Sequence, residues 1–169
     1  MKIALARMVW MSAVFASAII VRAEPAKVED PAGILKKPIP DKLIILTFDD
    51  GPASGYTVCA PILKSHGFGG SFYVCDFDSF KTRKDWYMTF RQMKAMADGG
   101  LEIGNHSAGH FSGFGAMMNM EDELLANHVP KPTTIAWPLG GAAMTDVPAL
   151  VSNGYLFARG GYRALVASP

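Results

Sequence analysis

Charged side chains are scarce in this 169-residue chain, at 18% of residues with a formal net charge of +1. The Lys and Arg residues are scattered, so there is no basic stripe of the kind a phosphate backbone requires, and nucleic acid is not an expected partner. Cysteine is scarcer still. Cys59 and Cys75 lack the short paired spacing of a zinc knuckle. Internal repeats and low-complexity tracts are absent too. The one long apolar run, Met8 to Val21, is shorter than the roughly 20 residues a bilayer core demands. Lys2 and Arg7 precede it and Val21-Arg22-Ala23 follows it, a pattern that reads as a secretory signal over residues 1–23. The expected location is therefore secreted or periplasmic, with no membrane span left after the signal is removed. Export places both thiols in an oxidising compartment, where they pair only if their backbones approach closely; a disulfide and two free buried thiols both stay open.

Apolar residues, by contrast, are plentiful. Half the chain is hydrophobic, as in compact globular proteins, and the length suits one domain. Residues 24–41, rich in Pro, Ala and Lys, read as a leader segment, and residues 42–169 as the domain. Leu43 to Phe48 is a continuous apolar run expected to form a strand buried on both faces. Apolar spacing then predicts a helix over 56–66 stopped by Gly67, a strand over 71–75 and a helix over 89–98 closed by Gly99-Gly100. A strand over 101–105, a helix over 120–128, a strand over 133–137, a helix over 146–153 and a strand over 155–159 complete the series. The alternation argues for βα units about a parallel sheet, either an open doubly wound sheet or a barrel. Met117-Met118-Asn119-Met120 reads as adaptable packing.

Polar residues follow the predicted strands: Asp49-Asp50 after the first, His106 and His110 after the third, Trp137-Pro138-Leu139-Gly140 after the fourth. Loops at the carboxyl ends of parallel strands are where such folds build their sites. Adjacent Asp side chains point to opposite sides of a strand, so both serve one site only if the backbone turns, and Gly51-Pro52 provides a turn. His106 and His110 are four apart, which puts both rings on one face if the segment is one turn of helix. Two His and one Asp form a ligand set that leaves positions open on a divalent metal.

Leu46-Thr47-Phe48-Asp49-Asp50-Gly51-Pro52 resembles the first motif of the polysaccharide deacetylase (NodB-homology) family, and Gly104-Asn105-His106-Ser107-Ala108-Gly109-His110 resembles its second. Ile135-Ala136-Trp137-Pro138-Leu139-Gly140 is similar to a degenerate third motif, and Gly154 to Arg159 to the stretch beyond it. The resemblance implies a distorted (β/α) barrel with about five of seven βα units present. It also implies that Asp49 is the general base, that Asp50, His106 and His110 bind a divalent metal such as zinc, and that Trp137, Pro138 and Leu139 line the substrate. Removal of acetyl groups from N- or O-acetylated glycans is the implied reaction. Phe111, Phe114, Trp86 and Trp137 are candidates for stacking on sugar rings, or for packing.

The sequence departs from the family in three places. Ala136 stands where the third motif often has an Arg that orients the base, Leu139 where the family often has Tyr, and no Leu-x-His motif follows Arg159 to supply a general acid. His66 and His128 lie in the wrong places to replace it. The expectation is a deacetylase in the form of a fragment or shortened paralogue, with an exposed sheet edge, unstable or poorly active alone; the alternative is a catalytically impaired fragment or paralogue that binds metal or glycan without turnover.

Overall fold

A computed structural model describes residues 42–77, 82–83, 85–141 and 144–160; the signal-like segment and the leader lie outside the described residues. Five strands form one sheet in the order β1 to β5: Thr47–Phe48, Ser71–Asp76, Glu102–Ala108, Thr134–Ala136 and Phe157–Arg159. Every neighbouring pair is parallel. Strands that follow in chain order with right-handed crossovers put all their helices on one face, which is the winding of a barrel. A doubly wound sheet would reverse its order at a switch point, and this one does not.

The helices are α1 (Ala60–Ser65), α2 (Phe90–Asp98), α3 (Phe114–Ala126) and α4 (Val147–Ser152). A wide π-type turn at Gly55–Cys59 leads into α1, and Gly67, at φ 69°, carries the chain out of it. Thr89 caps α2: its Oγ1 accepts from Gln92 N at 3.3 Å while Gln92 Oε1 accepts from Thr89 N at 2.8 Å. Such reciprocal capping contributes about 1 kcal/mol. Helix α3 begins six residues earlier than its apolar pattern suggests, because Phe114, Met117 and Met118 pack onto Ile135, Trp137, Leu150 and Tyr155. Met117 and Met120 are fully buried, as adaptable packing requires.

Alternation along β2 and β3 divides the side chains between the two faces. Phe72, Val74 and Ile103 pack under the helices with Leu63, Met88, Met93, Met96 and Leu124. Tyr73, Cys75, Gly104 and His106 take the other, concave face by period-two alternation. Lower on that face Glu102 accepts hydrogen bonds from Ser71 Oγ and Thr134 Oγ1. The Tyr73 ring fills the space beside Gly104, where an added Cβ would meet Tyr73 Cδ1 at 2.5 Å and Thr134 Oγ1 at 2.9 Å. Gly104→Ala is therefore expected to destabilise the fold by about 1–3 kcal/mol through overpacking. A fall in the urea midpoint is the measurement; an unchanged midpoint would mean the ring swings aside without cost.

The first strand differs from expectation. Leu43, Ile44, Ile45 and Leu46 are exposed, and only Thr47–Phe48 forms strand. β1 pairs with β2 alone, so among the described residues no strand pairs with its second edge. Leu156 and Phe157 are exposed at the opposite edge, on and beside β5. A run that reads as doubly buried needs neighbours on both faces to be so.

Candidate metal and catalytic site

Asp49 and Asp50 follow β1 directly. The chain turns at Asp50 itself, at φ 69°, and continues through Gly51 at φ 66°. The reversal thus starts one residue before the Gly-Pro pair, and it lets both carboxylates serve one site. β3 runs on through His106 to Ala108, so the two His rings do not share a helical turn as the spacing suggests. His106 points inward from a strand, and Ser107 (φ 71°), Gly109 (φ 62°) and His110 (φ 60°) fold the chain back to bring His110 beside it. The rings meet edge to face with centroids 4.9 Å apart. Asp50, Ser107 and His110 are non-glycine residues in the left-handed region, a conformation that costs about 1–3 kcal/mol each and gathers at functional sites.

The tight return is held from behind. Asn105 Oδ1 accepts from Ser107 N at 2.8 Å, and its Nδ2 donates to Met117 O at 2.7 Å and to Tyr155 Oη at 2.8 Å. Gly109 N donates to Asp76 Oδ1 at 2.7 Å.

Asp50 Oδ1 lies 3.5 Å from Nε2 of His106 and 3.5 Å from Nε2 of His110. The three ligand atoms fall within 4.8 Å of one another. His106 is buried, and desolvation holds its pKa below the ordinary imidazole value, partly offset by its bond to the Ala136 carbonyl. With Nδ1–H donating to Ala136 O at 2.7 Å, the neutral ring turns the lone pair of Nε2 toward Asp50. An anionic oxygen facing that lone pair is repelled unless a cation lies between them. Asp50 Oδ1 is itself buried and accepts no hydrogen bond. Ligands about 2.0–2.1 Å from a tetrahedral ion stand about 3.3–3.4 Å apart, close to the 3.5 Å from Asp50 Oδ1 to each imidazole, so the donor set fits a divalent metal.

Cys75 lies close by without joining the set. Burial, with the carboxylates of Asp50, Asp76 and Asp49, pushes its thiol far above the ordinary value, and Sγ–H donates to Asp50 O at 3.8 Å. Cys59, partly buried, and Cys75, buried, are separate free thiols.

Asp49 takes a different partner. Arg159 Nη2 donates to its Oδ1 at 2.5 Å and to its Oδ2 at 2.6 Å. Arg159 was missed by the motif reading, which finds no substitute for the Arg absent at Ala136. The sheet register supplies the reason: Ala136 and Arg159 are partners across β4 and β5, so their side chains share a face one strand apart. The cation sits on the neighbouring strand, a relation that no local motif carries. The same contact measures curvature. In a flat sheet β1 and β5 would be about 19 Å apart, four spacings of about 4.8 Å. Asp49 and Arg159 touch, so the sheet curls into an incomplete barrel with the site at its carboxyl-end rim.

Of the third-motif residues, Trp137 is 4% exposed and Pro138 is buried, whereas Leu139, at φ 53°, is 82% exposed. Trp137 packs in the core with Ile135, Leu150 and Tyr155. Phe114 packs against the same cluster, while Phe111 and Trp86 are exposed.

Comparison with known proteins agrees with this architecture. YxkH of Bacillus subtilis (strain 168) is 26% identical over 128 residues, covering 71% of this chain and 44% of YxkH. The Streptococcus pyogenes deacetylase PplD, solved in complex with acetate, superposes with a TM-score of 0.59 at 24% identity, over 69% of this chain and 55% of that one. The catalytic domain of peptidoglycan N-acetylglucosamine deacetylase from Eubacterium rectale ATCC 33656 gives 0.57 at 24% identity, over 76% of this chain and 64% of that one. These two likenesses establish the shared fold. The chain spans about half the length of the relatives it matches. The family model for polysaccharide deacetylase matches residues 36–157, and the chain belongs to that family.

Proposed function

We propose that this chain is a metal-dependent hydrolase that removes acetyl groups from an acetylated glycan, exported by the signal-like segment at residues 1–23. The observation that carries the reading is Asp50 Oδ1 standing 3.5 Å from both imidazole Nε2 atoms, with a second carboxylate beside it gripped by Arg159. Asp50, His106 and His110 would hold the ion. When bound, a divalent ion polarises a carbonyl and lowers the pKa of water to about 7. Asp49 then accepts the proton of the attacking water, and Arg159 keeps its carboxylate aimed. Water adds to the acetyl carbonyl and the bond to the sugar nitrogen or oxygen breaks. Acetate leaves, and the removed proton returns to the departing group. No helix among the described residues is long and apolar enough to cross a membrane.

The test is acetate release from an N-acetylated chitooligosaccharide by the full chain. Release is expected to stop on chelation and to return when zinc or another divalent ion is restored. Metal-loaded, folded protein that frees no acetate from N- or O-acetylated glycans, or that frees it equally after chelation, would overturn the reading.

A further inference from the structure

Behind the metal loop, on its helix side, runs a chain of buried polar groups that the proposed reaction does not use. Glu121, on α3, is buried. Lys131 Nζ donates to its Oε1 at 2.6 Å and Asn153 Nδ2 to its Oε2 at 3.1 Å. The Tyr155 hydroxyl reaches the same carboxylate and also meets Asn105, and both Tyr155 and Asn105 are buried. Packing alone does not call for these groups, since a phenylalanine would fill the place of Tyr155 in its apolar cluster.

The direction of the donors along this chain is fixed. Asn105 Nδ2 donates to Tyr155 Oη at 2.8 Å, so the phenol accepts there and its own proton is left for Glu121. Burial raises the phenol pKa, the bond to Asn105 partly offsets this and the Glu121 carboxylate adds to it, so the proton stays in place. A phenol with no carboxylate beside it could turn its proton toward Asn105 and accept the amide either way round. With Glu121 present, Tyr155 Oη and Met117 O both act as acceptors, and both call for Nδ2. Only one orientation of the amide answers them, and it aims Oδ1 at Ser107 N, 2.8 Å away.

Ser107, at φ 71°, opens the return that carries His110 back beside His106. A non-glycine residue keeps that conformation only where its surroundings over-determine it. Tyr155 also stands four residues before Arg159. The segment entering β5, the strand that bears the clamp on Asp49, is thereby tied to the loop that bears both imidazoles.

We infer that Tyr155 is a positioning residue for the metal site and that Glu121 orients it: through Asn105 the pair holds the backbone between His106 and His110 in the course that brings both rings to Asp50. This deepens the metal-dependent reading above and rests on it.

The experiment measures zinc affinity of the full chain by competition with a chelating dye, beside urea unfolding of the metal-free protein. Tyr155→Phe keeps the ring and deletes the bond, and is expected to weaken zinc binding about 10-fold, the low end of what outer-shell partners of a metal contribute. Glu121→Gln keeps the size and releases the phenol proton, and is expected to cost about 3-fold, less because Tyr155 remains to accept from Asn105. Met96→Ala, on α2, opens a cavity in a core cluster to which Tyr155 does not belong. It is expected to lower the urea midpoint at least as far as Tyr155→Phe while zinc affinity stays within about 2-fold of the parent. Unchanged affinity in Tyr155→Phe, or equal weakening in Met96→Ala, overturns the positioning role. Should Tyr155→Phe fail to fold, unchanged affinity in Glu121→Gln overturns it in the same way. A parent chain that takes up no zinc instead rejects the metal site on which the inference rests.

Discussion

Asp49→Asn should abolish acetate release while leaving bound metal at the same stoichiometry. The amide keeps the shape of the side chain and removes its capacity to accept a proton, and loss of a positioned acid or base typically forfeits about 100-fold to 10,000-fold in rate. Metal content should hold because Asp49 is not among the three atoms that converge; its oxygens face Arg159 instead. Arg159→Met should lower the rate as well, through a carboxylate left without its clamp, and by less than Asp49→Asn because the proton acceptor remains. Single-turnover acetate assays beside elemental analysis of the same preparations separate the two effects. A rate that survives Asp49→Asn would remove Asp49 from the role of base, and metal lost with it would place Asp49 among the ligands.

His110→Ala and His106→Ala should both strip the ion, yet only one of them should loosen the metal-free fold. Perturbing mere outer-shell partners of a metal commonly costs 10-fold to 100-fold in affinity, so removal of a ligand is expected to cost more than about 100-fold. His110 sits on a partly exposed turn, and among the described residues its ring makes no hydrogen bond to a buried backbone group as His106 does. His106 is buried and donates to Ala136 O, so its removal opens a cavity and leaves a buried carbonyl unpaired. That should lower the stability of the metal-free protein by about 1–3 kcal/mol. Metal titration and urea unfolding of the apo proteins check the pair of effects. Equal apo stability of the two variants would show that the bond to Ala136 contributes nothing net.

The convergence of Asp50, His106 and His110 was legible in the sequence because each lies near or just beyond the carboxyl end of a strand, and parallel strands deliver those ends to one rim. The reason for its geometry was not. Four-residue spacing suggests a helical turn for His106 and His110, but a strand with left-handed residues at Ser107, near its end, and at Gly109 and His110 beyond it achieves the same convergence. Left-handed backbone at Ser107 has no signature in residue type, since serine is not among the residues enriched there. Asn105, which pins that turn from the helix side, has a sequence neighbour at Ser107 and partners 12 and 50 residues away. The helix boundaries were readable where a cap marks them, as at Thr89 with Gln92, and unreadable at Phe114, where Gly113 and Gly115 flank the true start. Burial of Leu43 to Leu46 was misjudged because composition reports what a segment can bury and not whether a partner is there.

The bond between Asp49 and Arg159 joins residues 110 positions apart. Asp50, His106 and His110, the proposed metal ligands, precede Arg159 by about fifty residues or more, so a chain made from its amino end has all three in hand before the clamp exists. Contacts of such long range form late in folding. On the proposed reading, an ion held by Asp50, His106 and His110 would settle first and hold the strand ends in place, with Asp49 brought into alignment only when the fifth strand docks.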